Sequence, residues 1–453
     1  MTGRYQVYDE FTSVEEVIIE DFPQHWDLTR IKFNSLVKAR VGWHGLKSED
    51  FTEEGPYLVT GSDFKGKYIQ WRDCYHCDEE RYQQDSYIQL KNGDLLLTKD
   101  GTIGKVALVS ELDTKATLNS GVFVVRPLKD GDFTTKYYYW LLLSRSFTDF
   151  VDFYKTGSTI VHLYQDTFVN FKYSLPPLAE QQKLADFLDH ETVKIDTLIA
   201  KQEKLIELLK EKRQAVILHA VTRGLNPNAP MKDSGVEWLG EVPEHWLHTS
   251  LKHYSNVIDC KHITAEFFDD GIPLASIGEV KGWFVNLKKA KLTNEKYYND
   301  LIGGGRTPQV GDIIYSRNAT VGEAAIVSNN LPLFALGQDV CLLRQSKNIL
   351  SEYLMFVLHS GVISQQLDLA MVGSTFKRIN VENIKSFLIA LPPFEEQEKI
   401  VKELEKKSCK YDSLISNAVN AIELIKERKT ALISAAVTGK IDVRNYNTEK
   451  AGD

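Results

Sequence analysis

Cysteine is scarce in this chain: five residues, Cys74, Cys77, Cys260, Cys341 and Cys409, are scattered over 453 positions. An odd, dispersed set excludes a disulfide framework and points to reduced thiols. CYHC at 74–77 has the spacing of half a zinc site, yet no second Cys/His pair follows at a suitable distance, so no metal is expected. Long apolar runs are missing too. Nothing approaches the roughly 18 apolar residues of a membrane span, and MTGRYQVYDEF lacks the basic start and apolar stretch of a secretory signal. The expectation is a cytoplasmic protein with no membrane contact.

Basic charge is also short, since 54 Lys and Arg against 62 Asp and Glu leave a net charge of -8. A protein that grips DNA alone through many phosphates carries a basic balance, so a DNA reader of this composition needs partners to neutralise the phosphates. Catalytic signatures are absent. No G-x-x-x-x-G-K-[ST], G-x-S-x-G or H-E-x-x-H occurs, and GGGRTP at 303–308 lacks the Lys and Ser/Thr that phosphates and Mg²⁺ require. LPPF at 391–394 puts Leu391 where amino-methyltransferases carry a hydrogen-bonding Asp, Asn or Ser. These absences argue against an enzyme and against a cofactor bound in this chain.

What the chain does contain, it contains twice. Residues 175–222 and 391–438 align without a gap at an offset of 216, with 21 identities in 48 positions. GDLLLTKDGTIGKVALVS (93–110) matches GDIIYSRNATVGEAAIVS (311–328), KTGST (155–159) matches MVGST (371–375), and FPQHWDLTRIK (22–32) matches VPEHWLHTSLK (242–252). The chain is a tandem duplication of a unit of about 220 residues. Each LPP stops an extended segment and opens a helix, with Glu180 or Glu396 near its positive end.

In the first helix Leu188, Glu191, Ile195, Leu198, Gln202, Leu205, Leu209, Lys212, Val216 and His219 step by alternating three and four, as a coiled-coil seam requires. The second repeats the register from Leu404 to Ala435. Helices this long and amphipathic must bury each other, and an antiparallel pairing lets one chain close on itself with a globular part at each end. The predicted fold is α+β: two globular domains of short strands and helices separated by two long antiparallel helices, with a pseudo-twofold internal repeat. The expected divisions are an N-terminal segment (1–20), a first globular domain (21–175), a long helix (176–225), a linker with a second globular domain (226–390), a second long helix (391–440) and a tail (441–453).

The combination of P-x-HW, the GD hairpin, GST, LPP-x-x-EQ, a long helix and AVT-G, all in duplicate, resembles the specificity subunit of Type I restriction-modification systems. DSGVEWLGEVPEHW (233–246), which opens the second unit, is particularly typical. The likeness runs from about residue 21 to 443, and the first twenty residues match less well. It implies two target-recognition domains, each reading half of a split double-stranded DNA sequence, and helices that set the gap between the halves. It also implies a non-catalytic chain that docks two methyltransferase subunits holding S-adenosylmethionine, and restriction subunits that use ATP and Mg²⁺. The readings it competes with are a coiled-coil scaffold that never touches DNA and a self-contained methyltransferase or nuclease.

Side chains that pair with base edges, in loops at corresponding places, mark the candidate DNA contacts. In the first unit these are Arg40, Trp43, Thr60, Asp63, Lys99, Asp100, Thr102, Lys155, Ser158, Thr159 and His162; in the second, Lys261, His262, Thr264, Arg317, Asn318, Thr320, Lys377 and Arg378. About half of such turn residues are expected to hold the backbone rather than a base. Trp26 and Trp246, identical between copies, suit a core or docking role better than the reading of two different sequences.

Overall fold

The computed structural model describes residues 5–14, 21–41, 48–154, 162–371 and 378–446. The chain divides into two compact units. Unit 1 comprises residues 1–203 with 420–453, and unit 2 is the continuous stretch 204–419.

In unit 1 the elements that matter are β1 (Asp27–Arg30), β2 (Ser35–Ala39), β3 (Thr52–Val59), β4 (Tyr75–His76), β5 (Leu95–Thr98), β6 (Val106–Leu108), β7 (Ala116–Leu118), β8 (Val122–Pro127), α1 (Thr135–Leu142), α2 (Arg145–Tyr154), β9 (Lys172–Leu175) and the start of α3 (Leu178–Arg223). An antiparallel sheet runs β2-β8-β5-β6, a second sheet runs β4-β3-β7 with β3 and β7 parallel, and β9 pairs with β1.

Unit 2 repeats the plan with β10 (Leu247–Ser250), β11 (Ser255–Asp259), β12 (Ile272–Ala275), β13 (Leu292–Thr293), α4 (Glu295–Ile302), β14 (Ile313–Ser316), β15 (Ala324–Ile326), β16 (Ala335–Leu336), β17 (Val340–Gln345), α5 (Ser351–Leu358), α6 (Gly361–Ala370), β18 (Leu388–Leu391) and α7 (Phe394–Val437). Its sheets run β11-β17-β14-β15 and β13-β12-β16, and β10 pairs with β18. α4 has a shorter counterpart in unit 1, the helix Glu79–Gln83, and the two are capped alike by Asn294 and Asp78.

The GD strands read as continuous apolar runs because their sheet is covered on both faces. Leu95, Leu97, Phe123 and Val125 face one core with α1 and α2, while Leu96, Val122 and Val124 face a smaller core under the second sheet. Ile313 and Tyr315 alternate with Ile314 in the same way in unit 2. The duplicated Asp is part of this frame. Asp94 binds the Arg126 guanidinium, Nε to Oδ1 at 2.7 Å, and accepts the Lys91 amide at 2.9 Å. Asp312 does the same with Arg344, at 3.1 and 2.8 Å, and accepts the Gln309 amide at 2.8 Å.

The long helices are antiparallel within each unit. In unit 1, Lys429 of α7 reaches both carboxylate oxygens of Asp196 on α3, at 2.6 and 2.8 Å, and the Tyr137 hydroxyl meets the carbonyls of Ser174 and Val437 at 3.4 and 3.5 Å. In unit 2, Arg213 of α3 pairs with Asp412 of α7, and the Tyr353 hydroxyl meets the carbonyls of Ala390 and Val221 at 2.8 and 3.4 Å. The start of one helix thus lies beside the end of the other.

The seam departs from its expected line at alternate positions beyond Glu191. Leu188, Glu191, Ile195, Gln202, Leu209 and Val216 turn inward, but Leu198, Leu205, Lys212 and His219 are exposed and their neighbours Ile199, Ile206, Arg213 and Ala220 take their place. The second helix shifts identically, with Ile415 and Ile422 more buried than Leu414 and Ala421. Apolar doublets such as Leu198-Ile199 and Leu205-Ile206 satisfy a three-four and a four-three spacing equally, and packing chooses between them.

Candidate nucleic-acid interface

The two PQHW and PEHW segments act on the two LPP helices. In unit 1, Trp26 Nε1 donates to Glu180 at 3.0 Å and His25 Nε2 lies 2.8 Å from the other carboxylate oxygen. In unit 2, Trp246 Nε1 and His245 Nε2 lie 3.1 and 2.8 Å from Glu396 Oε2. The neighbouring Gln181 accepts the Thr134 amide at 2.8 Å and donates to the Pro176 carbonyl at 2.8 Å; Gln397 accepts the Leu350 amide at 2.9 Å and donates to Pro392 at 3.0 Å. The duplicated EQ is therefore a clamp joining each helix start to its globular part. Unit 1 adds Tyr8, whose hydroxyl bonds Glu180 and which burial, then Glu180, holds well above the usual phenol range. Gly439, at φ 77°, ends the second helix where a Cβ would stand 2.1 Å from the Pro23 ring, so only glycine fits.

Away from this frame, the hairpin after each GD strand and the segment after each GST come together. In unit 1 the Leu163 amide bonds the Lys99 carbonyl and the Lys99 amide bonds the Gly121 carbonyl, both at 2.9 Å. In unit 2 Ile379 bonds Arg317 at 2.9 Å and Arg317 bonds Asp339 at 2.8 Å in the same pattern. His162 Nδ1 lies 2.5 Å from Asp100 and Lys99 Nζ lies 3.7 Å from it. Asn318 and Arg378 form a β-bridge, and the Arg378 guanidinium stands 4.0 Å from Asp339. Thr264 accepts from Gln338 at 3.0 Å, beside a cavity of about 270 Å³ that Phe267 and Asp339 also line. His262, 3.5 Å from Asp259, and Lys261 flank it on the preceding loop.

Three of the candidates serve the fold instead. Arg40 is 3% exposed and its guanidinium donates to the Leu118 carbonyl at 2.8 Å, Thr117 Oγ1 at 3.2 Å, Gln84 Oε1 at 3.2 Å and the Arg81 carbonyl at 3.3 Å. Asp63 is buried and closes a capping box with Thr60, whose amide it accepts at 2.7 Å; burial raises its carboxyl above the usual range. Arg317 is buried against Asp259 at 2.7 Å. Thr60, as the other half of that box, is half-buried. Thr102, His162, His262, Thr264 and Arg378 are exposed, and Lys99, Asp100, Lys261, Asn318 and Thr320 are half-buried. Trp43, Lys155, Ser158, Thr159 and Lys377 lie outside the described residues.

Sequence reasoning missed Gln338 and Asp339, which the short loop between β16 and β17 carries into the cluster, and the exposed Phe267, over which Lys291 Nζ lies at 4.3 Å. Nothing in their local sequence marks them. In the hairpins themselves, Gly101 at φ 67° is matched by Ala319 at φ 54°, a left-handed alanine that the flanking bonds must hold. Cys74 and Cys77 are both buried, and burial pushes their thiols up to about 12 and about 11. Among the described residues no cluster of three metal-ligating side chains occurs, and no helix is long and apolar enough to cross a membrane.

Two tandem α+β units, each clamped to a pair of long antiparallel helices and each bearing a polar loop cluster, define a class of bipartite scaffold. The family model described as the Type I restriction modification DNA specificity domain matches residues 45–208 and again 259–424, and the chain belongs to that family. It is a specificity subunit by family, a non-catalytic class. It is similar to the MjaVIII specificity subunit of Methanocaldococcus jannaschii, 25% identical over 94% of this chain and 95% of that protein. The EcoBI specificity subunit of Escherichia coli is 24% identical over 77% of this chain and 73% of its own length. Among solved structures, a chain from a study of complex assembly and conformational transition of the type I R-M system superposes with a TM-score of 0.70 at 16% identity, covering 93% of this chain and 99% of that one. The HsdS subunit from Thermoanaerobacter tengcongensis gives 0.51 at 17% identity, over 93% and 98%.

Proposed function

We propose that this chain reads an asymmetric, split DNA sequence, one half per unit, and that its long helices carry the methyltransferase and restriction subunits of a Type I complex. The observation that carries the reading is the contrast between what the two copies keep and what they change. The Glu clamp, the Asp–Arg pair and the sheet order recur bond for bond, while the loop clusters share only their backbone pattern. Lys99, Asp100 and His162 occupy the places of Arg317, Asn318 and Arg378, which is what two different half-sites require.

The units divide the chain differently from the expected recognition domains and spacer helices, so the domain most useful to the function is 21–175 or 226–390, with the helices as a common ruler. Base contact is assigned to the exposed members of each cluster: Thr102 and His162 in unit 1, with His262, Thr264 and Arg378 in unit 2. The net charge of -8 then requires partner subunits to meet most of the phosphates. Leu205, Leu208 and Leu414 of the helix pair in unit 2 stay exposed, an apolar surface suited to a docked subunit.

The test is to express the chain with the methyltransferase subunits of its host and map methylated bases across the genome by single-molecule sequencing. One split, asymmetric motif is expected. Methylation without such a motif, from an assembled and active complex, would sink the reading and favour the scaffold. Arg378→Ala should relax a letter in one half only, weakening discrimination there by about 1–3 kcal/mol.

A further inference from the structure

The internal duplication gives every site in one unit a control in the other, and one site is filled in unit 1 and open in unit 2. In unit 1 the Lys67 ammonium lies 5.7, 5.4 and 5.5 Å from the ring centroids of Tyr68, Tyr139 and Trp140. It is ion-paired to Asp189 on α3, which also accepts Trp140 Nε1 at 3.0 Å. A cation thus sits in an aromatic cage closed by a carboxylate, all from one chain.

At the same offset of 216, unit 2 has Trp283 for Lys67, Phe284 for Tyr68, Phe356 for Trp140 and Glu405 for Asp189. The correspondence is structural as well. Tyr68 bridges to Leu108 and Phe284 bridges to Ile326, the matching strand residues. Trp283 packs on Phe356 at 4.8 Å, and what remains is a cleft of about 680 Å³ lined by Arg213, Trp283, Phe284, Phe356, Glu405 and Cys409. Arg213 is engaged by Asp412. Glu405 is exposed and forms no ion pair among the described residues, even though Lys281 lines the same cleft. Unit 2 has kept two of the three rings and the acid, has Met355 in place of Tyr139, and has lost the cation.

We propose that this cleft binds a Lys or Arg side chain of a partner protein, which supplies in trans the cation that Lys67 supplies in cis in unit 1. The aromatic walls and the free carboxylate select a cationic side chain over an acidic or purely apolar one. Resting on the function proposed above, the partner is the methyltransferase subunit docked on this half of the helix pair. The two units then hold otherwise identical partners with different strength.

The experiment titrates the methyltransferase subunit onto the full chain and follows Cys409, the one exposed cysteine of the five. Glu405→Gln, a change on an exposed helical face that leaves the fold intact, and Trp283→Lys, which closes the cleft from within, should each weaken the occupancy of one partner site by about tenfold. Glu405→Asp should keep most of the affinity. Alkylation of Cys409 by N-ethylmaleimide should slow in the complex and stay fast in the free chain. Unchanged affinity in both variants together with unchanged Cys409 reactivity, in a complex that assembles and methylates its motif, overturns this proposal and leaves the function standing. Failure of the native chain to bind the methyltransferase subunit at all overturns both.

Discussion

Units 1 and 2 share a frame and differ at its edges, and the places where they differ are not random. Buried polar bonds are duplicated nearly atom for atom: Glu180 and Glu396, Gln181 and Gln397, Asp94 and Asp312 meet the same kinds of partner. Each of these groups would be costly to leave unsatisfied, so neither copy could drift. Exposed loops carry no such penalty. The turn that holds Gly101 in one copy tolerates Ala319 in the other, and the cage that holds Lys67 in one is an open cleft in the other.

The largest expected effect tests whether the units are separate cores. Trp246 is fully buried, and Trp246→Ala should cost unit 2 about 3–5 kcal/mol while leaving unit 1 in place, with Trp26→Ala giving the reverse. A calorimetric scan in which either substitution moves the whole transition would break the comparison. Next, Asp94→Asn and Asp312→Asn each strand a half-buried guanidinium and should cost about 3 kcal/mol in denaturant titrations. Asp94 should be the more sensitive, because Arg126 is 14% exposed against 25% for Arg344.

A smaller effect of opposite sign in the two units is expected at the hairpin. Gly101→Ala should destabilise unit 1 and Ala319→Gly should stabilise unit 2, each by about 1 kcal/mol, since the left-handed backbone favours glycine in both. Equal signs would show that the two turns are not equivalent. The smallest effect is an acid sensitivity confined to unit 2. Burial, and then Arg213, hold His359 below its usual pKa, whereas Leu143 stands at the corresponding place in unit 1. The unfolded chain takes up this proton at about pH 6.5, before the folded one does, so stability is full above that pH and falls as the pH drops through the folded value. His359→Leu should remove the extra fall in the unit 2 melting temperature.

The duplication, the helices and the sheet-bearing hairpins were legible in the sequence because each is a matter of period and repetition. The seam was legible only to within one residue, since Leu198-Ile199 and Leu205-Ile206 offer either face. Trp26 and Trp246 were placed correctly with the structural residues, but nothing local named Glu180 and Glu396 as their partners, 154 and 150 positions away. Arg40, Asp63 and Arg317 failed as surface candidates for the same reason: a polar residue near a turn looks alike whether it faces solvent or a buried partner, here the Leu118 and Arg81 carbonyls, the Thr60 amide and the Asp259 carboxylate. Gln338 enters its cluster through a side-chain bond to Thr264, and Asp339 through the carbonyl that accepts the Arg317 amide, contacts that only the folded chain makes.

One feature of the division into units bears on how the protein is made. Unit 2 is a single stretch, residues 204–419, whereas unit 1 lacks Leu432, Ile433, Ala436 and Val437 of its core until those residues, made after all of unit 2, leave the ribosome. At a synthesis rate of about 5–20 residues per second, the first-born half waits roughly 10–40 s for the strip that seals it. Unit 1 is begun before unit 2 and completed after it, and in that interval its unsealed apolar face is open to chaperones and to misassembly.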